Sequence, residues 1–124
     1  MKTIKITADN LLSVIDINLN DYREVQKALD CDFFESVKTE KMFRYFGEPM
    51  MIFVDESGLI KGLPVNAVGS VLYGTPEHGY PICGDIIFAV PVREYTEAPD
   101  DVEKMKAKML KDFDFLMEVQ HGKF

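Results

Sequence analysis

Five consecutive β-prone apolar residues, Ile86-Ile87-Phe88-Ala89-Val90, place the tightest constraint on how this chain folds. A strand with no polar alternation has no face to offer water, so it belongs in the middle of a sheet covered on both sides. With 124 residues the chain is about one domain long and can bury roughly two thirds of its extended surface. The expectation is a single domain over residues 1–124. A composition of 47% hydrophobic and 28% charged residues supplies enough apolar surface for that core and excludes disordered and collagen-like chains.

The flanking segments supply the rest of such a sheet. Thr3-Ile4-Lys5-Ile6-Thr7 alternates, Val14-Ile15-Asp16-Ile17 is largely β-branched, and Ala8-Asp9-Asn10 suits a turn, which together predict a hairpin. Phe33 to Thr39 reads as a half-buried strand and Met50 to Val54 as a buried one, whereas Lys41 to Phe46 is ambiguous. Asp55-Glu56-Ser57-Gly58 reads as a turn that lets Leu59-Ile60-Lys61 pair back as a hairpin arm.

Helices are signalled by their caps. Asp21 and Glu24 stand at capping-box spacing, and Val25, Ala28 and Leu29 follow Tyr22 at helical intervals, ending near Cys31. Pro64 suits the first turn of a short helix running to Gly74, and Asn66 is placed either to cap the turn after it or to bond the neighbouring Asp55–Gly62 hairpin. Asp100 and Glu103 open a last helix, about 101–120, whose stripe Met105, Met109, Phe113 and Leu116 advances by four, four and three residues. Lys104, Lys108 and Lys111 then face water. An early hairpin and lone crossover segments favour an α+β fold, one mixed or antiparallel sheet with helices mainly on one face.

Charge narrows the partners. Fourteen basic against 21 acidic residues give a net charge of −7, which argues against extended nucleic-acid binding. Glu94, Glu97, Asp100, Asp101 and Glu103 fall well short of a DNA mimic, since ten base pairs carry about 20 phosphates. No apolar run approaches the roughly 18 residues of a membrane span, and the N-terminus lacks the apolar core of a signal peptide. The expected setting is cytoplasmic, with no membrane partner. Cys31 and Cys83 match no zinc-ligand spacing and read as small buried hydrophobes in a reduced compartment.

Reactive side chains concentrate in His78-Gly79-Tyr80-Pro81-Ile82-Cys83-Gly84-Asp85. The surrounding stretch from Gly47 to Gly84 carries seven of the eight glycines and four of the six prolines, so its elements are short and its turns tight. A Cys83 nucleophile would need His78 within hydrogen-bond reach and Asp85 to orient it, but Cys83 immediately precedes a buried strand, where a thiol is inert. Gly58-Leu59-Ile60-Lys61-Gly62 lacks the Gly-Lys-Ser/Thr ending of a phosphate loop. His78 and His121 are too far apart in sequence to suggest a metal site. These residues define no catalytic set, metal site or cofactor motif.

From Val54 to Val90 the order of segments is characteristic: a strand, the acidic-glycine turn Asp55-Glu56-Ser57-Gly58, then Leu63-Pro64-Val65-Asn66, then Ile82-Cys83-Gly84 before the apolar strand. This order resembles the domain of unknown function 3846 family, small proteins of phages, plasmids and conjugative elements in gut Firmicutes and their relatives. The family's C-terminal helix often ends near Lys-Phe, matching Lys123-Phe124, while Ala67 stands where an arginine is usual. The resemblance implies an accessory protein of a mobile element and brings no catalytic residue with it.

Three functions follow from these features. The first is a non-enzymatic protein-binding module, its partner another protein. The second is a small-ligand, nucleotide-like binding domain built on the glycine-rich 47–85 segment, with Asn66 and Asp85 as polar anchors and His78 and Cys83 beside them. The third is a Cys83-dependent hydrolase.

Overall fold

The computed structural model describes residues 1–119. In chain order the elements are β1 (Lys2–Ile6), β2 (Leu11–Asp16), α1 (Tyr22–Leu29), β3 (Phe34–Val37), α2 (Glu40–Phe46) and β4 (Met51–Asp55). They continue as α3 (Ala67–Tyr73), α4 (Thr75–His78), β5 (Ile86–Val92), β6 (Tyr95–Glu97), α5 (Val102–Asp112) and β7 (Met117–Glu118). The strands form one mixed sheet in the order β3-β4-β5-β1-β2-β7, with β6 pairing off β5. Among the described residues only β7 runs parallel to its neighbour, and the other pairs are antiparallel.

The apolar run of β5 lies near the middle, between β4 and β1, and its alternate residues enter separate cores. Ile86 and Phe88 point into a core with Met42 of α2, Val68 and Leu72 of α3, and Met105 and Met109 of α5. Ile87 and Ala89 point the other way, toward Val25, Ala28 and Leu29 of α1. The fold is therefore α+β with α2, α3 and α5 on one face and α1 covering the other.

Local chemistry explains most boundaries. Asp21 caps α1 by accepting from the Arg23 and Glu24 amides, and Asp30 ends it in a left-handed conformation. Lys41 to Phe46, ambiguous in sequence, is helical because Thr39 accepts from the Met42 amide and Gly47 closes the last turn at φ +72°. The third helix starts later than Pro64 suggests, with Asn66 as its N-cap. Asp101, rather than Asp100, caps α5 through the Lys104 amide at 3.0 Å.

Two expectations are corrected. Leu59-Ile60-Lys61 forms no hairpin arm: Lys61 N–H donates to Ser57 and Gly62 N–H to Leu59, which coils residues 57–62 into successive turns. The last helix ends at Asp112, not near residue 120. Phe113 N–H makes the final helical bond, and the chain then turns to run beside β2, where Met117 N–H donates to Asn10 and Val119 N–H to Leu12. The edge of β2 offers these residues backbone partners that a longer helix would leave unused. Phe113 and Leu116 stay buried as expected, and Lys104, Lys108 and Lys111 are exposed. Gln120, His121 and Lys123-Phe124 lie outside the described residues.

Candidate functional site

The three motif segments of the middle of the chain meet at one end of the sheet. Asn66 is their hub, fully buried at 0% exposure. Its Oδ1 accepts from the Gly69 amide at 2.9 Å, and its Nδ2 donates to the Ile6 carbonyl at 3.1 Å and the Gly84 carbonyl at 2.9 Å. One side chain thus caps α3, holds the end of β1 and fixes the turn that enters β5. Its backbone amide also donates to the Ile82 carbonyl at 2.8 Å.

The acidic-glycine turn packs onto the same point. Asp55 is a buried carboxylate that accepts from the Ser57 amide at 2.8 Å and from Lys61 Nζ at 2.7 Å. Its bond raises the Lys61 ammonium above the usual lysine range. Gly58 then passes so close to the Cys83 backbone that a Cβ there would stand 2.6 Å from the Cys83 carbonyl oxygen. Gly84 adopts φ +92°, a left-handed conformation suited to glycine, and its amide donates to the Pro64 carbonyl at 2.8 Å.

Asp85 works on the other side of this junction. Its Oδ1 accepts from the Ala8 amide at 3.1 Å, and its Oδ2 lies 3.6 Å from Lys5 Nζ. Lys5 in turn donates to the Ala28 carbonyl at 2.7 Å, placing a cation on the last turn of α1, where the helix dipole favours one. Asn66 and Asp85 are therefore brought together, joining β1, α1, α3 and β5.

A model of the domain of unknown function DUF3846 matches residues 1–113, a span that contains every one of these contacts. The chain belongs to the DUF3846 family. No curated protein and no solved structure matches it. In this DUF3846 member the turn, the Leu-Pro-x-Asn segment and the Ile-x-Gly segment act as one clasp, which gives their sequence order a physical reason.

Cys83 and His78 stand apart. Cys83 is buried, bridging Val65 through backbone, and among the described residues no hydrogen bond joins it to His78. His78, on α4, stacks against Tyr73 at 4.6 Å between ring centroids. A bond to Tyr80, with burial adding to it, raises the Tyr73 phenol to about 12. His78, Tyr73 and Gly74 border a cavity of about 290 Å³ that Lys41 and Arg44 approach from α2 and Lys38 from the segment before it, with Glu40 and Glu77 also on its wall. Among the described residues no three His, Cys, Asp or Glu side chains gather in a metal-binding group. No described helix is long and apolar enough to cross a membrane.

Sequence reasoning missed several members of this region. Lys5 is one of them, and its signal is that a polar residue on a strand covered by helices needs a specific partner. Asp55 and Ser57 carried a usable signal, the Asx-turn spacing of an acid two residues before a donated amide. The clasp also projects Leu59 and Ile60 outward, at 55% and 91% exposure, a feature visible only once residues 57–62 are known to be coiled.

Proposed function

We propose that this DUF3846 chain is a non-enzymatic protein-binding module, an accessory protein of a phage or other mobile element that works in the cytoplasm on another protein. The observation that carries the reading is the Leu59-Ile60 tip. Ile60 is 91% exposed at the apex of a turn whose base is held by Asp55, Lys61 and the Gly58–Cys83 approach. An apolar tip on a rigid base loses little conformational freedom when a partner covers it, which is the property of an anchoring contact. Phe33, 63% exposed, extends the apolar surface nearby, because its carbonyl accepts from the Glu56 amide of the same turn.

The test is a comparison of two immobilised proteins in lysate from cells carrying the element. The parent retains a specific protein, and the Leu59→Ser/Ile60→Ser variant, folded equally well, loses it. Equal retention by both refutes the tip as the docking surface.

A second reading is favoured by the cavity beside His78. Its volume of about 290 Å³ approaches that of small-molecule sites, and it joins aromatic rings to cationic side chains. This supports a nucleotide-like ligand, anchored by His78 and Tyr73 instead of Asn66 and Asp85, whose polar atoms are engaged within the clasp. A thermal-shift series with mononucleotides tests it, since a ligand at 100 times its Kd adds about 2.7 kcal/mol. An unchanged melting temperature throughout the series removes this reading.

A further inference from the structure

We propose that a second cavity, at the end of α2 away from His78, binds a small apolar zwitterion of the free amino-acid class. The cavity measures about 290 Å³ and lies where the end of α2 and the chain leading into β4 meet the first turns of α5. That volume is at the small end of ligand sites, so it suits a compact molecule. Its floor is apolar: Met50 and Met105 are buried and Phe46 is half-buried. Phe46 packs edge-on against Tyr45 at 4.8 Å and Phe88 at 5.6 Å between ring centroids. The ring is therefore held before any ligand arrives, which limits the ordering cost of binding. The two thioethers add a polarizable surface that adapts to an aliphatic or aromatic side chain.

The charges bordering the cavity select the rest of the ligand. Two of them are already engaged. Lys108 Nζ lies 3.1 Å from Asp112 and 4.2 Å from the centre of the Tyr45 ring, and the Asp101 carboxylate caps α5 through the Lys104 amide. The other three, Glu48, Asp100 and Lys104, form no ion pair among the described residues. Glu48 follows α2 and is half-buried, whereas Lys104 belongs to α5, so unpaired charges of both signs reach the cavity from different elements. A free amino acid answers both. Its ammonium meets Glu48 and Asp100, its carboxylate meets Lys104, and its side chain covers Phe46, Met50 and Met105. A simple apolar amine would leave Lys104 beside its own cation, and a simple apolar carboxylate would face two acids.

The test titrates the full chain, carrying carbon-13 methionine methyl groups, with three matched probes: phenylalanine, phenethylamine and 3-phenylpropionate. Phenylalanine should shift the Met50 and Met105 methyl signals saturably, with Kd near about millimolar for so small a ligand, and leave Met117 on β7 unmoved. The amine and the acid each lack one charge and should bind about fivefold or more weakly. Glu48→Gln/Asp100→Asn should weaken phenylalanine by a similar factor and improve the acid, while Lys104→Gln should weaken phenylalanine and improve the amine. These three side chains bond nothing else among the described residues, so both variants should melt like the parent. Phenylalanine that leaves Met50 and Met105 unshifted to about ten times that concentration overturns the site. Equal binding of the three probes, or an order of preference that neither variant alters, overturns the zwitterion as its ligand.

Discussion

Replacing Asn66 by alanine removes three buried hydrogen bonds at once. The Gly69 amide loses its acceptor, a helix N-cap whose loss costs about 1 kcal/mol. The Ile6 and Gly84 carbonyls lose a common donor, at about 1 kcal/mol each. The sum is about 3 kcal/mol, a large share of the 5–15 kcal/mol that holds a typical domain together. Urea unfolding should therefore show a lower midpoint at unchanged slope. Asn66→Asp refines the test. It keeps the cap acceptor but turns a carboxylate toward two carbonyls, so its folded pKa rises above the unfolded value of about 3.9. The folded variant then holds a proton that the unfolded chain has shed. Its deficit relative to the parent should shrink as pH falls from that raised value toward about 3.9. An alanine variant within about 0.5 kcal/mol of the parent would refute the hub role.

Other perturbations follow from the same contacts. Phe113→Ala should destabilise by about 3–5 kcal/mol in denaturant titration, while Met117→Ala, at an exposed position, should change little. Gly58→Ala drives a Cβ toward a backbone oxygen and should cost about 1–3 kcal/mol by the same assay. Burial pushes the Cys31 thiol up to about 11, with Asp55 adding to the effect. Its alkylation at pH 8, read by mass spectrometry, should run about two orders of magnitude slower than that of a free cysteine and quicken toward pH 11. Because the folded thiol keeps its proton where the unfolded one ionises, this group's contribution to stability falls as pH rises through that window.

The sequence makes legible whatever is decided by neighbours along the chain. Asp21 and the cap oxygen of Asn66 act on amides two or three positions away, and the burial of β5 is written in its own unbroken apolar run, so each occupies its expected role. Distant competition is what remained hidden. Residues 113–119 continue a helical stripe on paper, yet the edge of β2 captures the Met117 and Val119 amides. Leu59-Ile60-Lys61 has strand-like chemistry, but the Asp55 carboxylate takes the Ser57 amide and the Lys61 ammonium and winds the segment up. Of the expected site residues, Asn66 showed its cap role through its position after Pro64. Its two further bonds, to Ile6 and Gly84, span 60 and 18 residues and have no local signature.

The strand order has a bearing on how the chain is made. β1 pairs with β5 through Lys5↔Ile87 and Ile6↔Ile86, so during synthesis β1 waits for every element from β2 to α4 before that side is filled. Until then the β1–β2 ribbon exposes Ile4 and Ile6 and an open backbone edge to its surroundings. Non-local closure of this kind slows folding and lengthens the exposure of sticky intermediates. The clasp at Asn66 spans that separation in the finished fold: its bonds to Ile6 and Gly84 tie the end of the early ribbon to the turn that enters its late partner.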